Sequence, residues 1–348
     1  MKPFVALLQR HPTLFALISF AAGFGLGLWR ERPIDTPLSL SLQALTLVVI
    51  FGLIILELRV KFGGLVLSSR LLKLWRFEEL FVHFLLGGLL RGYAIFFLKS
   101  ASGVGPIIFL GVLLLILLSN ELPALQNRGP AVRSLLATLA LCCYLTFLVP
   151  TLVHRLGAEV FLVSLLCALG LLVAGHFLAG TQVPSVTRRR FYLWPALGTL
   201  VTYLVLYQFA LIPPVPLMLK KFLVGHALTK SPKDWLLDVD TGDAFIQGPH
   251  DKAVVAFKLV APKFFEEDLQ LVWQVRSAQT WLETDRIPVK IFGGRREGFR
   301  GSAEKSQIRP GQWRVILETS DQREISVLNF TIIEGNPALT SPRSLSIF

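Results

Sequence analysis

The sequence predicts a membrane all-α bundle of about seven transmembrane helices followed by a small antiparallel β-sandwich. Three observations carry this. Hydrophobic residues make up 53% of the chain and charged residues only 17%, against ~25% charged in ordinary soluble domains, and mean hydropathy is +0.59. Apolar runs near the ~20 residues that cross ~30 Å of hydrocarbon recur as far as Pro213. From Lys252 onward these runs give way to short β-rich stretches separated by polar turns. The expected layout is a transmembrane part over 1–212, a connector over 213–250, an extracytoplasmic β-sandwich over 251–334 and a flexible tail over 335–348.

The first apolar run, Thr13–Leu28, follows Lys2 and Arg10 as a signal peptide would. No Ala-x-Ala site follows it and Trp29-Arg30 closes it, so it reads as an uncleaved span. The other expected spans are Leu38–Leu56, Leu80–Leu98, Val104–Ser119, Ser134–Val153, Ala158–Gly180 and Phe191–Ile212. Formal net charge is +12, and all of the excess lies before Ser231, chiefly in loops between spans. A basic chain suggests nucleic acid, but basic residues in short loops are the positive-inside bias instead, so no nucleic-acid partner is expected. The N-terminus and the loops at Arg59–Arg76, Arg128–Arg133 and Arg188–Arg190 carry twice the Lys and Arg of the opposite loops. That bias orients the N-terminus to the cytoplasm and the β-domain to the outside of the cell (inner) membrane, the periplasm in a bacterium. In the loop from Lys61 to Arg76, Leu65, Leu71, Leu72 and Trp75 oppose Arg70, Lys73 and Arg76, a basic amphipathic pattern that also suits an ordinary positive-inside loop.

Ionisable groups within spans are costly and mark candidate sites. Arg91 stands near the middle of the third span. Gly88 and Gly92 flank it at a spacing that lets helices approach closely. Glu57 and Glu121 are its candidate carboxylate partners. His83 and His176 lie near span ends, where a structural hydrogen bond accounts for each. Cys142, Cys143 and Cys167 all fall inside spans, which excludes a disulfide framework or thiolate metal site in the soluble part. No cofactor or metal is expected.

Pro213, Pro214 and Pro216 end the last helix in an extended exit. The half-apolar Met218–Leu228 is expected to rest on the outer membrane surface. Asp238, Asp240 and Asp243 gather nearby, but a calcium loop beginning at Asp238 would need an acid at its twelfth position, where Pro249 stands. Strands are expected at AVVAFKLVA, QLVWQVRS, IPVKIFGG, GQWRVILET and EISVLNFTII, with a weaker one at GFRGSAEKS. Within Gly293–Val315, arginines and a lysine accompany Trp281 and Trp313, which offers a ligand site built on Arg295, Arg300, Lys305 and Trp281. Guanidinium groups hold carboxylates or phosphates bidentately and aromatic faces stack on sugars. The competing account makes the glycines a bent hairpin and places Trp273 and Trp313 in the sandwich core.

These stretches carry a resemblance. IPPVP with Leu219-Lys220, Ala261-Pro262, Trp273, GGRREGFR with Ser302 and Lys305, and PGQWRV over 310–315 resemble bacterial multi-pass membrane proteins whose C-terminal module is classed as domain of unknown function 2914. GGLLRGYAIFFLKSAS and Asn120-Glu121 in the membrane part are also similar. The family often has a histidine two residues before the tryptophan; Leu271 stands there, so a site built on that histidine is absent. The resemblance implies topology and domain layout and supplies no mechanism.

No nucleophile elbow, HExxH or phosphate loop is present. The expected function is therefore a non-enzymatic binding, sensing or assembly-accessory role. Its partners are the lipid bilayer and either another membrane or envelope protein or an anionic glycan. The alternative is a transporter or lipid-processing membrane enzyme with its site among the helices at Arg91, His83 and Glu121.

Overall fold

The computed structural model describes residues 12–26, 36–100, 107–109, 111–112, 129–231, 234–240, 244–248, 251–262, 264–292, 298–335 and 343–348. The chain divides into two compact units, one helical and the other containing the C-terminal strands from Pro213 onward together with the segment Pro150–Ala158.

The helical unit contains α1 (Pro12–Leu26), α2 (Pro37–Phe62), the short α3 (Ser69–Trp75), α4 (Glu78–Ser100), α5 (Gly129–Val153) and α6 (Ala158–Leu178). After these come α7 (Ser185–Arg188), a π-helical turn (Arg189–Leu193) and α8 (Trp194–Gln208). Four of them, α2, α4, α5 and α6, are long and apolar enough to cross a membrane, which supports membrane association. α1 and α8 have 15 residues each, short of that length. The expected span Val104–Ser119 lies largely outside the described residues. α3 is the helical part of the basic loop, with Leu71, Leu72 and Leu74 exposed.

Capping explains where these helices begin and end. The Thr36 hydroxyl accepts from Ser39 N–H at 3.3 Å and Pro37 opens α2, while Gly63 closes it. The last carbonyls of α6 are taken by arginines from elsewhere: Arg188 donates to His176, and Arg59 to Leu178 and Ala179. α5 is the buried helix, with Leu136, Ala137, Ala140, Cys142 and Cys143 almost fully enclosed. The close helix crossing lies at Gly23 of α1 and Gly87 of α4, where a Cβ would overlap the carbonyls of Phe84 and Phe20. The expected pair is corrected: a Cβ at Gly88 meets only ordinary contact, and at Gly92 open space.

The β unit has three sheets, ordered β1-β5-β8, β4-β10-β9-β6-β7 and β11-β3-β2. Their strands are β1 (Met218–Gly225), β2 (Ala227–Lys230), β3 (Trp235–Asp240), β4 (Ala244–Gln247), β5 (Ala253–Val260), β6 (Glu266–Ser277), β7 (Thr280–Phe292), β8 (Phe299–Lys305), β9 (Gly311–Thr319), β10 (Glu324–Glu334) and β11 (Arg343–Ile347). All described ladders are antiparallel except β4 against β10. The first two sheets form a sandwich around Phe257, Leu271, Trp273, Trp313 and Leu317. The third sheet covers the other side of β5, burying Leu237 and Phe348 against Val254 and Ala256. β5 is thus buried on both faces, and its run AVVAF lacks alternation for that reason. Gly301 is required opposite it, because a Cβ there would overlap the Phe257 ring.

Two expectations are corrected here. Met218–Leu228 does not lie as a surface segment: β1 pairs with β5, and the stretch expected as connector contains β1 to β4. The tail is not loose throughout, since β11 pairs with β3 and Phe348 is buried.

Candidate functional site

Strand alternation builds the candidate site. Trp273 and Val275 of β6 and Trp313 and Val315 of β9 point into the core, so Gln274, Arg276, Gln312 and Arg314 stand on the opposite face of the five-stranded sheet. Register sets Gln274 opposite Arg314 and Arg276 opposite Trp281 of β7. The Arg314 guanidinium lies 4.5 Å from the centre of the partly exposed Trp281 ring, a stacking geometry that attracts charge to the aromatic face. Arg314 Nε donates to Gln274 Oε1 at 2.6 Å and Arg276 Nη1 to Gln312 Oε1 at 2.7 Å.

Charge is distributed unevenly over this face. Arg286 is neutralised by Glu283 at 3.1 Å and by Glu318, and these partners hold its pKa above the ordinary value, the bond to Glu283 first. At the Trp281 end, by contrast, neither Arg276 nor Arg314 forms an ion pair among the described residues; both are positioned by neutral amides. Glu324 acts on Arg314 without forming an ion pair with it.

The other residues expected at the ligand site are not brought to this face. Arg300 of β8, its side chain 9% exposed, sits 3.8 Å from Asp234 beside the third sheet. Lys305 is buried at the sandwich edge, paired with Asp285 and 5.7 Å from the Trp313 ring centre. Arg295 lies outside the described residues. Trp281 is the expected member that remains, and its companions Arg276 and Arg314 are the ones sequence reasoning underused. The signal was present in the matching alternations Gln-Val-Arg at 274–276 and Gln-Trp-Arg at 312–314.

A second polar cluster joins several strands of the β unit. His226, between β1 and β2, directs Nε2 at Asp240 (2.8 Å) and Nδ1 at Asp251 (3.0 Å), and its ring stacks on Phe245 with centroids 4.1 Å apart. Arg343 reaches Asp238 at 3.4 Å, Asp251 at 3.9 Å and Asp240 at 4.0 Å. Two of the aspartates considered for calcium, Asp238 and Asp240, thus face Arg343 and His226 of this chain, while Asp243 lies outside the described residues. Among the described residues no group of His, Cys, Asp and Glu could hold a metal ion.

In the helical unit, Arg91 is half-buried and its Nε has no hydrogen-bond partner among the described residues. Its expected partner Glu57 is engaged elsewhere: Arg133 holds both carboxylate oxygens and Lys61 approaches at 2.6 Å. Arg133 also reaches Glu79 at 2.9 Å. His83 is buried, its Nδ1 2.7 Å from the Glu79 carbonyl, while Glu121 lies outside the described residues. An apolar cavity of about 240 Å³ between α5 and α8 is lined by Leu135, Leu139, Pro195, Gly198 and Tyr203.

Comparison with known proteins adds a class for part of the chain. Residues 266–332, from the start of β6 into β10, match the family described as "Protein of unknown function (DUF2914)". No curated protein matches. Among solved structures, the chain is similar to an immunoglobulin-like protein from Pseudomonas aeruginosa at 11% identity, covering 34% of this chain and 98% of that one, with a TM-score of 0.24. It is also similar to a β-glucosidase involved in saponin metabolism from intestinal bacteria, at 13% identity over 32% of this chain and 16% of that one, TM-score 0.21. A β-glucosidase from Kluyveromyces marxianus matches at 13% identity over 39% and 16%, TM-score 0.18. TM-scores this low assign neither fold nor activity to this chain.

Proposed function

We propose that this chain is a bacterial inner-membrane protein of about seven spans that presents its β unit outside the membrane as a non-enzymatic binding, sensing or assembly-accessory module. In this reading the N-terminus is cytoplasmic, the β unit is periplasmic, and recognition occurs on the face around Trp281, Arg276 and Arg314. The observation that carries it is the pair of guanidinium groups held by Gln274 and Gln312 beside an aromatic ring, with no carboxylate paired to either among the described residues. Such a pair is positioned before any ligand arrives, and its charge is available to a partner. The loop-charge bias supports the orientation. The loop after the fifth expected span falls on the side of the β unit in this topology, and its Leu156 N–H donates to Glu267 at 2.9 Å, which supports the number of spans between them.

A second reading rests on Arg91: an arginine within a membrane helix, with an unpartnered Nε among the described residues, suits a transport or lipid-processing site. One experiment separates the two. In a strain lacking the gene, the Trp281→Ala/Arg314→Gln chain, matched to wild type in membrane abundance, is expected to fail to restore the wild-type phenotype, and Arg91→Ala to restore it. The reverse pattern would transfer the function to the helices.

A further inference from the structure

We infer that the ligand read at the Trp281 end of the five-stranded sheet is an acidic oligosaccharide, its carboxylate held by Arg276 and Arg314 and a sugar ring lying against Trp281. This rests on the reading of that face as the recognition surface. Hydrogen-bonding capacity sets the chemistry of the ligand. A carboxamide has one acceptor oxygen and two N–H donors, and a guanidinium has donors only. Here the amide oxygens of Gln274 and Gln312 are occupied by Arg314 and Arg276. Each amide oxygen keeps one lone pair, but what those four side chains still offer is mainly N–H donors, so the matching ligand presents mainly acceptors: carboxylate and hydroxyl oxygens.

Three further features narrow the class. Arg286, at the other end of the face, is satisfied by Glu283 and Glu318, so the two guanidinium groups without an ion pair among the described residues stand together at one end and call for a localised acid group. The formal balance from Ser231 onward is slightly negative, which disfavours a densely charged polyanion such as nucleic acid. Recognition at Arg276 and Arg314 is by side chains, because β9 and β6 are each hydrogen-bonded to strands on both sides, while β7, which carries Trp281, is the edge strand of the sheet. Strand addition would seat a peptide along the β7 edge rather than on the face, whereas a flat face with one aromatic ring and a fringe of amides suits a sugar.

The test uses the full chain in nanodiscs of zwitterionic phosphatidylcholine. It is titrated with an oligogalacturonate, with the same oligomer as its neutral methyl ester, and with an acidic peptide of equal charge, and binding is read by calorimetry. The oligogalacturonate is expected to bind, the methyl ester at least about tenfold more weakly, and Arg314→Gln and Arg276→Gln each to lose about tenfold, the scale of one charge-assisted hydrogen bond. Equal binding of acid and ester, or unchanged binding in both arginine variants, would overturn the proposal. Arg314-dependent binding of the acidic peptide without the oligogalacturonate would overturn the sugar assignment and leave the recognition face standing. No binding of any probe, with both face variants restoring the wild-type phenotype, would overturn both.

Discussion

Replacing Arg133 tests the packing of the helical unit. The Arg133 side chain is 3% exposed and the Glu57 carboxylate it grips is 1% exposed. Removing the guanidinium leaves that carboxylate with Lys61, which is 49% exposed and reaches it at 2.6 Å; Glu79 also loses its partner but is 47% exposed. Breaking a buried pair from one side costs about 3–5 kcal/mol, because the remaining charge stays desolvated. Lys61 keeps part of the compensation, so Arg133→Met is expected at the lower end, near ~3 kcal/mol. The double variant Arg133→Met/Glu57→Met removes both charges and is expected within about 1.5 kcal/mol of wild type, since buried pairs exchanged for apolar residues are often neutral. The assay is a double-mutant cycle by reversible SDS titration in mixed micelles. A coupling near ~0.6 kcal/mol, the mean for interhelical hydrogen bonds in bilayers, would refute the claim that this pair is dry and holds α2 to α5.

Other substitutions probe the remaining contacts. Burial raises the Glu267 carboxyl above the ordinary range, against the lowering effect of its bonds from Leu156 and Ser320. A carboxyl raised in the folded state contributes stability that is complete below the unfolded value and lost as pH rises through the folded one. Stability of the wild-type β unit should therefore decline across that window while Glu267→Gln stays flatter, as followed by tryptophan fluorescence in denaturant; equally steep profiles would contradict this. His226→Ala leaves Asp240, whose side chain is 5% exposed, with the Ile246 amide at 2.9 Å and Arg343 at 4.0 Å. The expected loss is about 2 kcal/mol or more of unfolding free energy by denaturant titration, and a change under ~0.5 kcal/mol would place it among ordinary surface substitutions. Gly87→Leu should separate α1 from α4 and lower the thermal midpoint in micelles, whereas Gly92→Leu, facing open space, should not.

Legibility in the sequence followed the range of the interaction. The helices α2, α4, α5 and α6 were readable because an apolar run of that length needs no partner to be recognised. β5, β6, β9 and β10 were readable from β-branched composition and alternation. β1 was not, since a short segment with apolar residues toward two cores has the composition of an amphipathic surface piece: Leu219, Phe222 and Val224 pack on one cluster and Leu223 on the other. β11 has a single inward anchor, Phe348, and its pairing with β3 is far away in sequence. Arg133 counted as a loop charge because its partner Glu57 is 76 residues distant. At the candidate site, Trp281 was visible as an unusual residue, while its link to Arg314 depends on the β6–β7 and β6–β9 registers.

Thiol labelling at the recognition face tests directly whether that face is held outside the membrane. With Cys142, Cys143 and Cys167 replaced by alanine, Ser277→Cys places one exposed thiol beside Arg276. A membrane-impermeant maleimide should label it in intact spheroplasts and leave it unlabelled in sealed inverted vesicles. Labelling confined to the inverted vesicles would put the face in the cytoplasm and contradict the account.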